Sequence, residues 1–269
     1  MRPLAARLPR QAVVAGAILL VLVVLAALAP AISPFAFDAL DLAHRRAAPS
    51  VSHWFGTDEL GRDLLTRVLY GARVSLAVGF VSAAVSVLLG VAIGATAGWA
   101  GRWIDAVLMR VTDAMLAVPR LPLLMIAAAV LAPNVAVLVL LVGTAGWMET
   151  ARVVRAEVQS LKANDFVTAA RAVGAASSRV VIRHVLPGVL PTAAVATTLA
   201  VGRGILLESA LSFFGVGVQP PAASWGNMLY QAQTTMTTEP WLGIFPGVFI
   251  FVTVLSCNVL GNAWHSQEA

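Results

Sequence analysis

The side chains able to do chemistry are few and scattered in this chain of 269 residues. Its one lysine, Lys162, follows Leu161. A phosphate cradle needs Gly-x4-Gly-Lys-Ser/Thr, in which backbone amides and the ammonium converge on the phosphates, so the chain carries no such loop. His44, His53, His184 and His265 never fall at i, i+3 or i+4, the spacing that puts two imidazoles on one helix face, and there is no His-Glu-x-x-His. A single cysteine, Cys257, excludes an intramolecular disulfide framework and a cysteine-held zinc or iron–sulfur centre. No Gly-x-Ser-x-Gly elbow occurs, and Ser224 and the other serines lack a neighbouring base. The expectation is no catalytic residue, no metal and no cofactor. Two charges inside an apolar run remain, Arg203 and Glu208. Their five-residue separation is about 140° around a helix of 3.6 residues per turn, so they should not pair with each other. Charge facing lipid is expensive, so each must face the bundle, a partner subunit or a wet pathway. Structural counter-charge and substrate contact both remain open for them.

The elements that must position these residues are written in the composition. Residues of the hydrophobic types make up 59% of the chain and charged ones 12%, against about 25% charged in a soluble domain. Six apolar stretches, 11–33, 74–97, 111–131, 134–150, 191–213 and 243–261, are each near the roughly 20 residues that cross a bilayer. The fold class expected is an all-α polytopic membrane protein with six transmembrane helices. The first stretch follows Arg2, Arg7 and Arg10 and ends at Ala27-Leu28-Ala29, like a signal peptide, but its core from Ala12 to Ala29 is too long for one and reads as a retained anchor. Ser82, Ser86, Gly90, Gly94 and Gly98 repeat every four residues, a small-residue stripe suited to close helix packing. With the N-terminus cytoplasmic, segments 1–10, 98–110 and 151–190 hold 3, 2 and 6 basic residues, and 34–73, 132–134 and 214–242 hold 5, 0 and 0. Positive charge concentrates on the cytoplasmic side, which favours that orientation. The chain divides into 1–73 (tail, first helix and an extracytoplasmic loop), 74–261 (transmembrane core with a cytoplasmic loop 151–190) and a short tail 262–269.

The loop 151–190 is too polar to span and too patterned to be a connector. Asn164 can cap a helix, with Asp165 favoured in its first turn by the helix dipole. Phe166, Ala169, Ala170 and Val173 fall at i, i+3, i+4 and i+7, one apolar stripe. Gly174 is a left-handed stop. Ser177 can begin a second short helix, 178–186, which Pro187 ends. Together these make a compact knob able to enter a groove on a partner.

Thr168-Ala169-Ala170-x3-Gly174-x9-His184-x-Leu186-Pro187 resembles the EAA loop of permease subunits of bacterial ABC importers. His53-Trp54-Phe55-Gly56-Thr57-Asp58-Glu59-Leu60-Gly61-Arg62-Asp63 with Gly71-Ala72-Arg73-Val74-Ser75-Leu76, Leu211-Ser212-Phe213-Phe214-Gly215-Val216-Gly217-Val218-Gln219-Pro220-Pro221 and Ser224-Trp225-Gly226-Asn227-Met228-Leu229 resemble the C-type permease of the dipeptide/oligopeptide/nickel subfamily. The resemblance implies an inner-membrane subunit that pairs with a second homologous permease, two cytoplasmic ATP-binding subunits and an extracytoplasmic solute-binding protein. Its cargo would be peptides, nickel or a metal chelate. The resemblance assigns ATPase coupling to Asp165, Phe166, Thr168, Ala169, Ala170, Arg171 and Gly174. Thr168 stands where the family loop opens with Glu, and Gly261-Asn262-Ala263-Trp264-His265 replaces the usual Gly-Asp-Gly-Leu-Arg-Asp. The competing reading is an ion-coupled secondary transporter acting without ATPase partners. Such folds show inverted repeats that the two halves of this chain lack. The segments 51–73 and 211–229, with Trp54 and Trp225 as interfacial rings, are expected at the extracytoplasmic mouth.

Overall fold

The computed structural model describes residues 9–131 and 134–268, with side chains through Trp264; Arg2 and Arg7 and most of the expected 132–134 break lie outside that range. Every regular element among the described residues is helical. Helix α1 is Arg10–Ile32, α2 is Leu64–Ala100, α3 is Arg102–Ala117, α4 is Arg120–Leu131, α5 is Val135–Thr144 and α6 is Trp147–Lys162. They are followed by α7 (Asp165–Ala172), α8 (Ser177–Val180), α9 (Leu186–Phe213), α10 (Trp225–Ala232) and α11 (Trp241–Glu268). Four of these runs, Arg10–Ile32, Leu64–Ala100, Ser177–Phe213 and Trp241–Trp264, are long and apolar enough to cross a membrane. The pairs α3–α4 and α5–α6, counted as one broken span each, make six. The expected all-α polytopic architecture is the one found.

The third and fourth spans differ from their expected form. The stretch 111–131 is broken into two helices that meet at 84°. Pro119 lacks an N–H and disfavours helical backbone at the residue before it, and Val118 is extended (φ −81°, ψ 127°). Arg120, an awkward charge in an apolar run, thereby opens α4 at the corner. The stretch 134–150 bends by 40° between α5 and α6, and α6 continues to Lys162, through residues expected to lie in the loop. Asn134 caps α5, its side chain accepting from the Val137 amide at 2.9 Å.

Helix α2 is the spine. Its Ser82–Gly98 stripe is a packing seam, as its spacing predicts. A Cβ on Gly90 would lie 2.5 Å from Thr150 Cβ, on Gly94 2.5 Å from the Ala151 carbonyl oxygen, and on Gly98 2.8 Å from that of Arg155, so α6 lies backbone to backbone against it. Ser86 Oγ donates to the Gly143 carbonyl at 2.7 Å and fastens α5. Earlier along the same face, Gly79 and Gly204 let α9 approach, Gly204 against Ser82, while α1 packs by Ala12, Ala15, Leu22, Ala26 and Ala29 against α2 and α11. Val13, Val14, Leu20 and Val21 on the other face of α1 are exposed, as a lipid-facing surface should be.

Helix α2 begins at Leu64, ten residues ahead of the expected 74, because Asp63 caps it: its carboxylate accepts from the Thr66 amide at 2.8 Å and from His53 Nδ1 at 3.0 Å. The preceding loop is folded tightly. Gly56 and Gly61 take φ +81° and +77°, and a Cβ on Gly61 would lie 1.7 Å from the Asp41 carbonyl oxygen. In the same loop the exposed Asp41 carboxyl is held below its usual range by its hydrogen bond with His44.

Candidate functional site

Two features stand out, one at each level of the bundle. The first is the knob. Asn164 occupies the N-cap of α7 without a side-chain cap bond, and Asp165 sits exposed in the first turn. The C-terminus closes as a Schellman turn: the Gly174 N–H donates to the Arg171 carbonyl (2.9 Å) and the Ala175 N–H to that of Ala170 (3.1 Å), with Gly174 at φ +82°. The helix is held by its inner face. Val167 is fully buried in a cluster with Val154, Val158, Val180, Val185 and Val189, and Ala170 packs against that cluster. Arg171 lies over the Trp99 ring, 4.6 Å from its centroid, so it fastens the knob to the end of α2. The outer face carries Phe166 (45% exposed), Thr168, Ala169 and Val173 (86% exposed). The expected stripe is therefore divided: Ala170 turns inward, while Phe166, Ala169 and Val173 form an apolar strip that this chain leaves uncovered.

The second short helix is not stopped by Pro187. Ser177 begins α8, the chain passes through a π turn at Val181–Val185, and Pro187 lies in the first turn of α9, where a missing N–H is harmless. The knob is thus continuous with a transmembrane helix on one side. On the other, two residues separate it from α6. Lys162 Nζ donates to the Trp99 carbonyl at 2.6 Å, and Arg155 forks onto Asp105, tying α6 to α2 and α3.

The second feature is the set of charges in the spans. Arg203 and Glu208 do not pair. Arg203 forms an ion pair with Glu149, whose other carboxylate oxygen accepts from Arg120 Nη2 at 2.8 Å. Glu208 is fully buried and accepts from Ser75 Oγ (3.0 Å) and Ser212 Oγ (2.7 Å). Those serines accept in turn from the amides of Trp225 and Val218. The acid is therefore the hub that fixes α2, α9 and the start of α10. Trp225 is also fully buried, its indole donating to the Val68 carbonyl at 3.1 Å, and so is not the interfacial ring its type suggested; Trp54 is exposed. Segment 211–229 staples helices together.

Residues 90–266 match the family of binding-protein-dependent transport system inner membrane components, and residues 10–49 match the N-terminal transmembrane domain of oligopeptide transport permease C. The chain belongs to this family of binding-protein-dependent permeases. It is 36% identical over 253 residues to the dipeptide transport system permease protein DppC of Alkalihalophilus pseudofirmus, covering 94% of this chain and 83% of that one. It is 36% identical over 248 residues to the oligopeptide transport system permease protein OppC of Bacillus subtilis, covering 92% and 81%. A peptide transport system permease protein of Brucella suis, itself named putative, is 41% identical over 248 residues, covering 92% and 83%. Membership makes the chain a multi-pass permease component of a bacterial inner membrane, the part of an ABC transporter that is not itself catalytic.

Sequence reasoning passed over Glu149 as the permease's counter-charge. A signal existed: a lone acid in one apolar run and lone arginines in two others invite pairing across helices, because none can stay unpaired in lipid. The serine shell of Glu208 left no comparable trace, since Ser75 lies 133 residues away from it in the chain and nothing in the sequence reveals their meeting.

Proposed function

We propose that this chain is one of two permease subunits that enclose the translocation pathway of an ABC importer for peptides. Two cytoplasmic ATP-binding subunits drive it and an extracytoplasmic binding protein supplies it. The observation that carries the reading is the uncovered apolar strip Phe166–Ala169–Val173 on a helix whose opposite face is locked into the chain's own core. A strip of this kind at a rigid, exposed corner suits the groove of a partner. Because α7 lies between α6 and the run Ser177–Phe213, a partner that moves it displaces both helices, as alternating access requires. Asp165, Thr168 and Ala169 belong to the docking face, while Ala170, Arg171 and Gly174 shape and anchor it. The dipeptide and oligopeptide permeases among the relatives favour peptides over nickel or a metal chelate as cargo.

The test is substitution of the outer face. Val173→Asp places a charge at an 86% exposed position, and Phe166→Asp gives up only a tilted ring contact with His184. Chain abundance in the membrane is expected to stay normal while co-purifying ATPase and peptide uptake fall at least tenfold. Normal uptake with a normal complement of ATPase in both variants would remove the knob as the coupling element.

A further inference from the structure

We infer that the Arg120–Glu149–Arg203 cluster is a carboxylate-binding station on the pathway face of this subunit, receiving the terminal carboxylate of the cargo. The inference rests on the peptide-import reading and names the part of the peptide that the pathway recognises.

The charges come from three helices. Arg120 opens α4 at its sharp corner, Glu149 lies in the first turn of α6, just past the α5–α6 bend, and Arg203 projects from the middle of α9. The two arginines line a cleft with Ser82, Ser86 and Thr150, and Glu149 bridges them. The two guanidiniums cap the two oxygens of one carboxylate, which leaves the cluster with a net charge of about +1. Each guanidinium carries five N–H donors, and one carboxylate cannot use ten.

An excess positive charge in a spanning segment is expensive if it faces lipid. These groups are not sealed in the protein either. The side chains of Arg203 and Glu149 are 47% and 42% exposed and that of Arg120 is 23% exposed. Half-open charge between apolar helices is stable where the opening is wet, and in a translocation subunit that place is the pathway. A planar fork with spare donors is the geometry that binds a carboxylate bidentately. A peptide always supplies one, because its terminal carboxyl ionises near 3.5 and is charged at neutral pH. Glu149 holds the two forks apart and oriented, and its single charge leaves one unit of attraction for the cargo.

This arrangement is separable from an ordinary structural ion pair, because net charge and pairing can be varied independently. The complete transporter, reconstituted with its partner subunits, is supplied with dipeptides preloaded on the binding protein, with free or amidated C-termini. Arg203→Gln and Arg120→Gln each keep one ion pair but bring the cluster to zero charge. Uptake of the free acid is expected to fall at least tenfold in both, and that of the amide less than twofold. Glu149→Gln breaks both pairs but raises the charge, and free-acid uptake is expected to exceed that of either Arg variant at least threefold. Should Glu149→Gln fail to assemble, the double variant Glu149→Gln/Arg120→Gln keeps the charge of +1 without any pair and is expected to show the same advantage over Arg203→Gln.

A structural pair predicts the reverse order, with the Glu149 variants the worst, and that order would overturn the inference. So would equal losses for acid and amide. Loss of the second permease from purified Arg203→Gln and Arg120→Gln complexes would show that the arginines hold an acid of that subunit instead, and would overturn it too. A wild-type transporter that takes up no peptide ends the peptide reading itself, a result distinct from any rank order among the variants.

Discussion

Glu208 shows at the scale of one residue how burial decides a role. An acid in an apolar run is open to substrate contact or structural duty, and the sequence cannot separate them because exposure depends on which helices surround it. It is fully buried and bonded to Ser75 and Ser212, so no surface of this chain exposes it. Glu208→Leu strands two buried hydroxyls, at about 1–3 kcal/mol for each unsatisfied group. The melting temperature of the detergent-solubilised chain is expected to fall by roughly 5 °C or more. Glu208→Gln keeps an acceptor for one serine and presents its amide N–H2 to the other, so its melting temperature should fall less than that of the Leu variant. A larger fall for Gln than for Leu would contradict the hub role. The knob residues were more legible: the spacing of Phe166, Ala169 and Val173 and the stop at Gly174 follow from helical periodicity and from glycine's access to positive φ. The inward turn of Ala170 did not, because it is set by a valine cluster assembled from α6, α8 and α9.

Elements were legible wherever the pattern lay within one helix. The Ser82–Gly98 stripe announced a seam; α9 meets it at Ser82, α5 at Ser86 and α6 along Gly90–Gly98. The broken spans were harder to read: apolar content is the same in a straight helix and a bent one, and only Pro119 marked the corner at Arg120. Likewise Pro187 reads as a stop, yet it sits in the first turn of α9, whose N–H groups lack intrahelical partners anyway. The seam makes a prediction that composition alone would not. Gly94→Ala drives a methyl to within 2.5 Å of the Ala151 carbonyl oxygen and 2.9 Å of Val154 Cβ, and is expected to cost about 1–3 kcal/mol by overpacking. Gly247→Ala, in α11, meets nothing within 4 Å and should be neutral or stabilising by up to about 1 kcal/mol through helix propensity. Thermal melts of the two variants side by side check this; equal effects would mean that α2 and α6 are not in backbone contact.

At the scale of the whole molecule, helix order divides the chain between two ends. The start of α2 meets α10 and the loop after α9 through Trp225 and Val68. The end of α2 meets α6 and the knob through Trp99, Lys162 and Arg171. Residues 42–63 and 214–240 therefore share one end, and 99–102 and 162–176 the other. The count of basic residues favours the knob's end as the cytoplasmic one: segments 98–110 and 151–190 carry 8 together, against 5 in 34–73 and none in 214–242. The prediction is a labelling pattern in a Cys257→Ser background, which removes the one native thiol. Ser52→Cys and Gln219→Cys, both at exposed positions of the first end, are expected to react with an impermeant maleimide applied to whole cells with a permeabilised outer membrane. Ala163→Cys, exposed beside the knob, should react only after the inner membrane is opened. Ala223 would be an uninformative site at the same end, since it is 2% exposed and would stay silent in either orientation. If Ala163→Cys labels in intact cells while the other two do not, the orientation is inverted and the knob faces away from any cytoplasmic ATPase. If all three label from one side, the division of the molecule into two ends is itself wrong. The expected pattern puts the uncovered strip of α7 on the side where ATP is found and the loops before α2 and after α9 on the side where cargo arrives.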